Sequence, residues 1–369
     1  MKKTPFYEVG LEAGAQMIDL FGYKLPWEYS VGHEKEHLAT RLVASLCDLD
    51  YMGSFLIEGP GALAFIQIIM TNDYSRKGVG SVQYTAMCGI DGNMIDDGTV
   101  WRLEDHKYMF VSGSEEDFSW LEQNAGQHDV TLKNITSEHT TLALQGPKST
   151  QVLRKLTAYD IESIGYYRFV ETQVAGINCI VARMGYTGEF GYELHFDPQH
   201  GRKIWTDIMD AGAEVGIAPC GQAALESLRQ EAGYLLVGND HDKNTNPLEA
   251  GIGFTVKLGK DAFNGKQALQ EIARRGVRRH IVWLDLPSGW VTKPGDPIYI
   301  GDKKVGQVTS GSYSHTRKRG TAMGHVTPEH AIPGIVVSIE SGGNRYDATL
   351  SVMPPYDPGN WRTRTSIPA

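Results

Sequence analysis

The chain is short of the residues that staple, anchor or export a protein. Only four cysteines occur in 369 residues, and Cys47, Cys88, Cys179 and Cys220 make no Cys-x-x-Cys pair and have no histidine-rich partner at metal-ligand spacing. The scatter argues against a disulfide framework or a structural metal and predicts reduced, packed thiols. No stretch approaches the roughly 20 apolar residues of a membrane span, and Met1-Lys2-Lys3-Thr4-Pro5 lacks the apolar centre of a signal peptide. The expected compartment is the cytoplasm. Positive charge is scarce too: 35 Lys and Arg against 44 Asp and Glu leave a formal net charge of -9. That balance argues against nucleic acid or an anionic membrane as a partner. One basic run, Arg274-Arg275-Gly276-Val277-Arg278-Arg279, reads as a solvated linker between domains.

What is present is enough for a large core: a chain of this length with 41% hydrophobic residues divides into two or three domains. Leu38, Leu42 and Leu46, spaced four apart, predict an amphipathic helix over Glu34 to Leu46. A strand at Ser54 to Glu58 leads through Gly59-Pro60-Gly61 into a helix ending near Ile69. Met109-Phe110-Val111 is a short strand before a helix from about Ser114 to Asn124, and Val130 to Ile135 and Thr141 to Leu144 are extended. Gly165 to Gly185 holds two β-prone runs turning at Ala175-Gly176. Helices follow over Arg202 to Ala213 and Gln222 to Ala232. Beyond Arg279 the pattern becomes short strands, with hairpins around Gly301-Asp302 and Gly342-Gly343-Asn344, so a separate β domain begins there.

The most informative run is Tyr84-Thr85-Ala86-Met87-Cys88-Gly89-Ile90-Asp91-Gly92-Asn93-Met94-Ile95-Asp96-Asp97, where β-prone stretches flank a turn and deliver adjacent carboxylates. Strand periodicity sends neighbours to opposite faces. One aspartate then meets solvent while the other enters the interior, where burial and a negative neighbour raise its pKa. Taken alone, the pair fits either a reactive acid or two polar residues beside an ordinary hairpin turn.

Other motifs accompany it in order: Thr4-Pro5-Phe6-Tyr7, Phe21-Gly22-Tyr23-Lys24-Leu25-Pro26, Asp48-Leu49-Asp50-Tyr51-Met52-Gly53, Thr71-Asn72-Asp73 and Leu144-Gln145-Gly146-Pro147-Lys148. Gly185-Tyr186-Thr187-Gly188-Glu189-Phe190-Gly191-Tyr192-Glu193, Asn244-Thr245-Asn246-Pro247-Leu248-Glu249-Ala250-Gly251, Phe263-Asn264-Gly265-Lys266-Gln267 and Gly306-Gln307-Val308-Thr309-Ser310-Gly311 follow. In this order and over nearly its whole length the chain resembles the aminomethyltransferase family, the tetrahydrofolate-dependent T-protein of the glycine cleavage system and its relatives. The resemblance implies an α+β fold, a cloverleaf of two intertwined folate-binding α+β domains plus a C-terminal β-barrel-like domain around a central channel. Its boundaries would be 1–278 for the folate-binding portion, with one subdomain over roughly 49–139, and 279–369 for the barrel.

By the same resemblance Asp97 corresponds to the family's catalytic carboxylate, beside the reactive nitrogens of tetrahydrofolate. Glu193 suits the pterin edge, where a carboxylate accepts paired N–H donors. Tyr84, Tyr186 and Met52 match positions that wall the cofactor, and Ser112, Phe110 and Trp101 are further candidates for its contact. Asp96 is expected to point the other way. No metal is implied, and Gly185-Tyr186-Thr187-Gly188-Glu189 lacks the Lys-Ser/Thr ending of a phosphate loop.

Departures from the pattern bear on the one-carbon donor. Asp50-Tyr51-Met52-Gly53 stands where T-proteins show Ser-His-Met-Gly, Ser112 where they have Asn, and Ala223-Ala224-Leu225-Glu226 where they have Gly-Ala-Arg-Asp. Leu225 for arginine removes five donors and a fixed charge. His315 is a further candidate change in the third domain. The family's donor is an aminomethyl group on a lipoyl carrier protein, while relatives take methyl groups from small sulfonium, ether or amine compounds. The leading expectation is aminomethyl transfer to tetrahydrofolate; the alternative is a demethylase yielding 5-methyltetrahydrofolate from a small methyl donor. A third reading, a folate-binding maintenance protein without turnover, lacks its Lys-Gly-Cys-Tyr-x-Gly-Gln-Glu motif. The sequence shows no flavin-binding Gly-x-Gly-x-x-Gly run ahead of the folate portion, against a fused oxidase.

Overall fold

Apolar alternation builds the device on which the fold turns, the Ser81–Cys88 and Met94–Glu104 strands paired antiparallel around Asp91-Gly92-Asn93. Gly92 takes φ +81° and Asp91 Oδ1 accepts the Asn93 amide at 3.1 Å, the local chemistry that reverses the chain. In this computed structural model, which describes residues 1–126 and 128–365, the hairpin joins Lys107–Ser112, Gly53–Glu58 and Thr131–Asn134 in a five-stranded sheet. One face of the sheet packs Phe55, Ile57, Val100 and Phe110 against the Ala62–Ile69 and Asp117–Ala125 helices. The other face turns Val82, Trp101, Met109 and Val111 toward a second sheet, whose Phe169, Ala182 and Met184 they touch.

That second sheet has six strands in the order Phe169–Val174, Ile177–Ala182, Gly191–Phe196, Thr140–Gln145, Ser45–Asp48, Ala218–Cys220. Its far face is covered by the Gly201–Gly212 helix through Ile204, Trp205 and Ile208. Residues 53–134 thus form a sheet of their own between two strands of the other. His280–Asp285, Pro297–Ile300, Lys303–Ser314, Arg319–Val326, Val336–Ser341 and Asn344–Ser351 close a barrel filled by Leu284, Ile298, Val308, Ile339 and Leu350. The architecture is therefore α+β with a closed C-terminal barrel, as expected; the barrel boundary was carried to 369, and its last four positions lie outside the described residues. All four cysteines are buried and free. Among the described residues no helix is long and apolar enough to cross a membrane.

The helix expected over Glu34 to Leu46 ends early and faces the opposite way. It runs His33–Leu42, Leu46 lies in the Ser45–Asp48 strand, and Leu42 is 67% exposed while Glu36, His37, Thr40 and Arg41 are buried. The polar face goes inward because each of its groups is met there, which removes the cost of burying it. Glu36 accepts the Tyr29 and Gly221 amides at 2.6 and 2.8 Å, and His37 Nδ1 lies 2.7 Å from Ser227 Oγ. Arg41 donates to Glu231 at 2.8 Å and to the Thr187 carbonyl at 2.7 Å. Glu231 also accepts from Thr316 at 3.1 Å and from Ser314, so this ion-pair network ties the first portion to the barrel. The basic run is likewise more than linker. Arg274 and Arg275 end the Lys266–Arg275 helix in solvent, but Arg278 and Arg279 converge on buried Glu249 at 3.4 and 3.3 Å.

Burial alone raises the Glu231 carboxyl, yet the His37 hydrogen bond and the Arg41 charge outweigh it and hold it at about 2, below its ordinary 4.5. A carboxylate with a depressed folded pKa adds stability that is full above about pH 4.5 and is lost as pH falls toward 2. Glu231→Gln is therefore expected to cost about 3–5 kcal/mol at pH 7 in urea unfolding. The gap to wild type should narrow on acidification below pH 4.5; a gap independent of pH contradicts this account.

Candidate active site

Period-two geometry divides the aspartate doublet. Asp96 shares its face with Gly98 and Val100 and is 1% exposed. Burial first, then the charges of Asp117 and Asp97, push the Asp96 carboxyl well above its usual range. Burial raises Asp117 as well. Asp96 Oδ2 and Asp117 Oδ2 have no hydrogen-bond partner among the described residues, and two neighbouring buried carboxyls resist being ionised together. The acid of the doublet that enters the interior is thus Asp96.

Asp97 occupies the opposite face with its side chain 17% accessible. Tyr84 donates its hydroxyl to Asp97 Oδ2 at 2.5 Å, His241 Nε2 lies 2.6 Å from Oδ1, and the Asp97 amide is fixed by Asp96 Oδ1 at 2.8 Å. Sequence reasoning missed His241. It stands in an irregular polar run with no periodicity, and its place is set by its neighbour Asp240. Buried Asp240 pairs with Arg229 at 2.5 Å and accepts from barrel residues Thr309 and Ser310 at 2.5 and 2.8 Å.

Around Asp97 stand rings enclosed by protein that still keep accessible surface, as side chains lining an internal channel do. They are Tyr84, Tyr167 and Tyr186. Tyr186 donates to the Leu235 carbonyl and stacks on Tyr234 at 5.8 Å. Tyr167, also unforeseen, holds φ +58° between hydrogen bonds to Arg183 and Val82. A non-glycine residue in that region is strained, and such strain concentrates where function needs a side chain aimed. Phe254, 65% exposed, lies 6.2 Å from the Tyr84 ring. Glu193 lies on the same face of the second sheet as His195, whose ring meets Trp101 on the Asp97 face of the first, so the two carboxylates stand on the facing sides of the two sheets. Glu193 is 4% exposed and has no hydrogen-bond donor among the described residues, with His195 Nε2, a ring kept neutral by burial, 3.6 Å away. Burial raises its carboxyl to about 7.

The remaining sequence candidates separate by strand parity. Met52 is half-buried among Tyr51, Leu225 and Tyr186, beside this space. Phe110 and Ser112 fall on the Asp96 side: Phe110 is in the core beneath the helices, and Ser112 bonds the Ser114 carbonyl at 3.2 Å. Trp101 shares the Asp97 face, but there the sheets have closed, with His195 and Phe169 at ring distances of 4.6 and 5.4 Å. Phe110 and Trp101 have no accessible surface to offer a ligand. Leu225 replaces the missing guanidinium with apolar packing, and Arg229 one turn later supplies charge near Tyr51 and Tyr186 while paired to Glu226 and Asp240. Asp96, Asp97 and His241 offer ligand atoms within 4.8 Å of one another, an approach their mutual hydrogen bonds already account for. A cavity of about 1080 Å³ lies elsewhere between the sheets, against Leu56, Met109, His139, Cys179 and His195.

Comparison with known proteins points the same way as the geometry. Residues 6–260 match the GCVT N-terminal domain, and residues 279–357 the glycine cleavage T-protein C-terminal barrel domain. The chain is 41% identical to an aminomethyltransferase of Halothermothrix orenii, covering 92% of this chain and 95% of that one. It is 38% identical to an aminomethyltransferase of Moorella thermoacetica, over 96% and 98%. A crystal structure of glycine cleavage system aminomethyltransferase T from Bartonella henselae superposes with a TM-score of 0.90 at 28% identity, covering 97% and 98%.

Glu193 yields a prediction of its own. A carboxyl raised on folding contributes most below its unfolded value of 4.5 and costs stability as pH rises through about 7. Glu193→Gln should gain on wild type between pH 4.5 and pH 8, by up to roughly 3 kcal/mol in urea unfolding of the ligand-free protein. A difference that does not grow with pH would show that Glu193 has a partner in solution.

Proposed function

The chain belongs to the glycine cleavage T-protein family, and from that premise we propose that it is an aminomethyltransferase that uses tetrahydrofolate as acceptor. Its donor on this reading is an aminomethyl-lipoyl carrier protein. The observation that carries the proposal is the pair of carboxylates facing one enclosed, tyrosine-walled space: Asp97, oriented on both oxygens, and Glu193, buried without a donor. These residues fit the coenzyme. Glu193 offers two acceptor oxygens for the paired N–H groups of a pterin. Tyr84 and Tyr186, with Met52, supply flat and polarizable walls for its rings. Tetrahydrofolate supplies a nucleophilic secondary amine that accepts the one-carbon unit.

Asp97 is the residue at the reacting atoms. Held by Tyr84 and His241, its carboxylate keeps a fixed negative charge where positive charge develops on the amine, which needs no reorganisation at the moment of reaction. It also accepts the amine's proton. Glu193 and the tyrosines bind and orient, and the facing sheets exclude bulk water. The relatives compared favour aminomethyl transfer over the methyl-donor alternative.

Purified protein given tetrahydrofolate and aminomethyl-lipoyl carrier should release ammonia; an inert carrier together with methylfolate formation from an O-, N- or S-methyl compound would reverse the assignment of donor. Asp97→Asn should lower kcat by roughly 10²–10⁴-fold while tetrahydrofolate affinity changes little. Equal loss of both would remove Asp97 from the chemistry.

A further inference from the structure

Asp97 has two side-chain donors, and only one was legible in the sequence. We propose that His241 is the positioning residue of the site: a neutral imidazole whose Nε2–H holds Asp97 Oδ1 and aims the carboxylate at the reacting amine.

Three observations carry this. Nε2 lies 2.6 Å from Asp97 Oδ1 and 4.0 Å from Asp96 Oδ1, so Asp97 receives the hydrogen bond. His241 is buried, and its Nδ1 has no partner among the described residues. An imidazolium would bury an unpaired Nδ1–H there, and the Nδ1–H tautomer would do so while setting the bare Nε2 lone pair against a carboxylate oxygen. The Nε2–H tautomer leaves only an acceptor unmatched. Finally, the ring is held from its own backbone: the Gly238 amide donates to the His241 carbonyl at 2.9 Å, and Asp240 is anchored to Arg229 and the barrel.

The surrounding charges make this donor necessary. Around Asp97 are Tyr84 from its hairpin partner strand, Tyr167 from the loop before Phe169, Tyr186 and Glu193, with Asp96 and Asp117 behind the strand on its other face. Among the described residues no lysine or arginine comes within 4.0 Å of Asp97. With acids behind and opposite, the imidazole and the Tyr84 hydroxyl are the side-chain donors that Asp97 receives. Removing a donor from a carboxylate makes its protonation easier.

The inference deepens the aminomethyl-transfer reading, and one of its tests stands apart from that reading. Nitrogen-15 NMR of the labelled wild-type protein at pH 7 should show His241 with Nε2 protonated and Nδ1 bare; an Nδ1–H tautomer or an imidazolium overturns the proposal whatever the enzyme turns over. In kinetics, His241→Leu should lower kcat at least 10-fold, leave the tetrahydrofolate Kd within about threefold, and move the acid limb of the kcat profile up by about one pH unit. His241→Gln, whose amide can donate to the same oxygen, should restore the acid limb and most of kcat. An unshifted limb in a folded His241→Leu, or a glutamine variant no better than leucine, overturns the positioning role. Absence of turnover by wild type with the tautomer as stated would instead count against the transfer reading alone.

Discussion

The site depends on a constraint of strand geometry: adjacent residues on one strand cannot face the same side. Asp96 and Asp97 are separated by a single peptide bond, yet one is buried beneath the helices near Asp117 and the other meets Tyr84 and His241 on the opposite face. A register slip of one residue would exchange them. The Gly92 turn that fixes the hairpin therefore also fixes which carboxylate is buried and which keeps accessible surface. Packing Trp101 against His195 sets how close the two sheets come, and hence where the gap between Asp97 and Glu193 begins.

The three bodies serve that gap in different ways. The first sheet carries Asp97 and Tyr84, the second Glu193, and the stretch leading toward the barrel carries His241. Arg229 and Asp240 join that stretch to Ser310 of the barrel, while Arg41, His37 and Glu231 make a second buried tie to Ser314 and Thr316. Such networks cost desolvation and are strong only when each member is satisfied. Here their return is placement: they hold polar residues from distant parts of the chain to the same few ångströms.

Much of this was readable in the residues. Turn chemistry at Asp91-Gly92-Asn93, Ala175-Gly176, Gly301-Asp302 and Gly342-Gly343-Asn344 announced the hairpins because local rules decide them, while the barrel came from the family resemblance. Family resemblance reached Asp97, Glu193, Tyr84 and Tyr186, which the structure gathers around one space. The misses have a common cause. The helix at His33–Leu42 buries its charged face because partners distant in sequence satisfy it, and nothing local reveals such partners. Phe110, Ser112 and Trp101 were chosen without strand parity or sheet closure, which set two of them on the wrong face and the third in a sealed contact. His241 and Tyr167 sit in irregular segments, one placed by a neighbour's salt bridge and the other by a strained backbone, and neither leaves a periodic signal.

The central claim is that tetrahydrofolate binds between Asp97 and Glu193. A crystal structure of the protein with tetrahydrofolate tests it most directly. The account predicts the pterin against Glu193, walled by Tyr84 and Tyr186, with a reactive amine within about 3.5 Å of an Asp97 oxygen. Density for the coenzyme in the cleft beside His139 and His195, with the space at Asp97 empty, would contradict it.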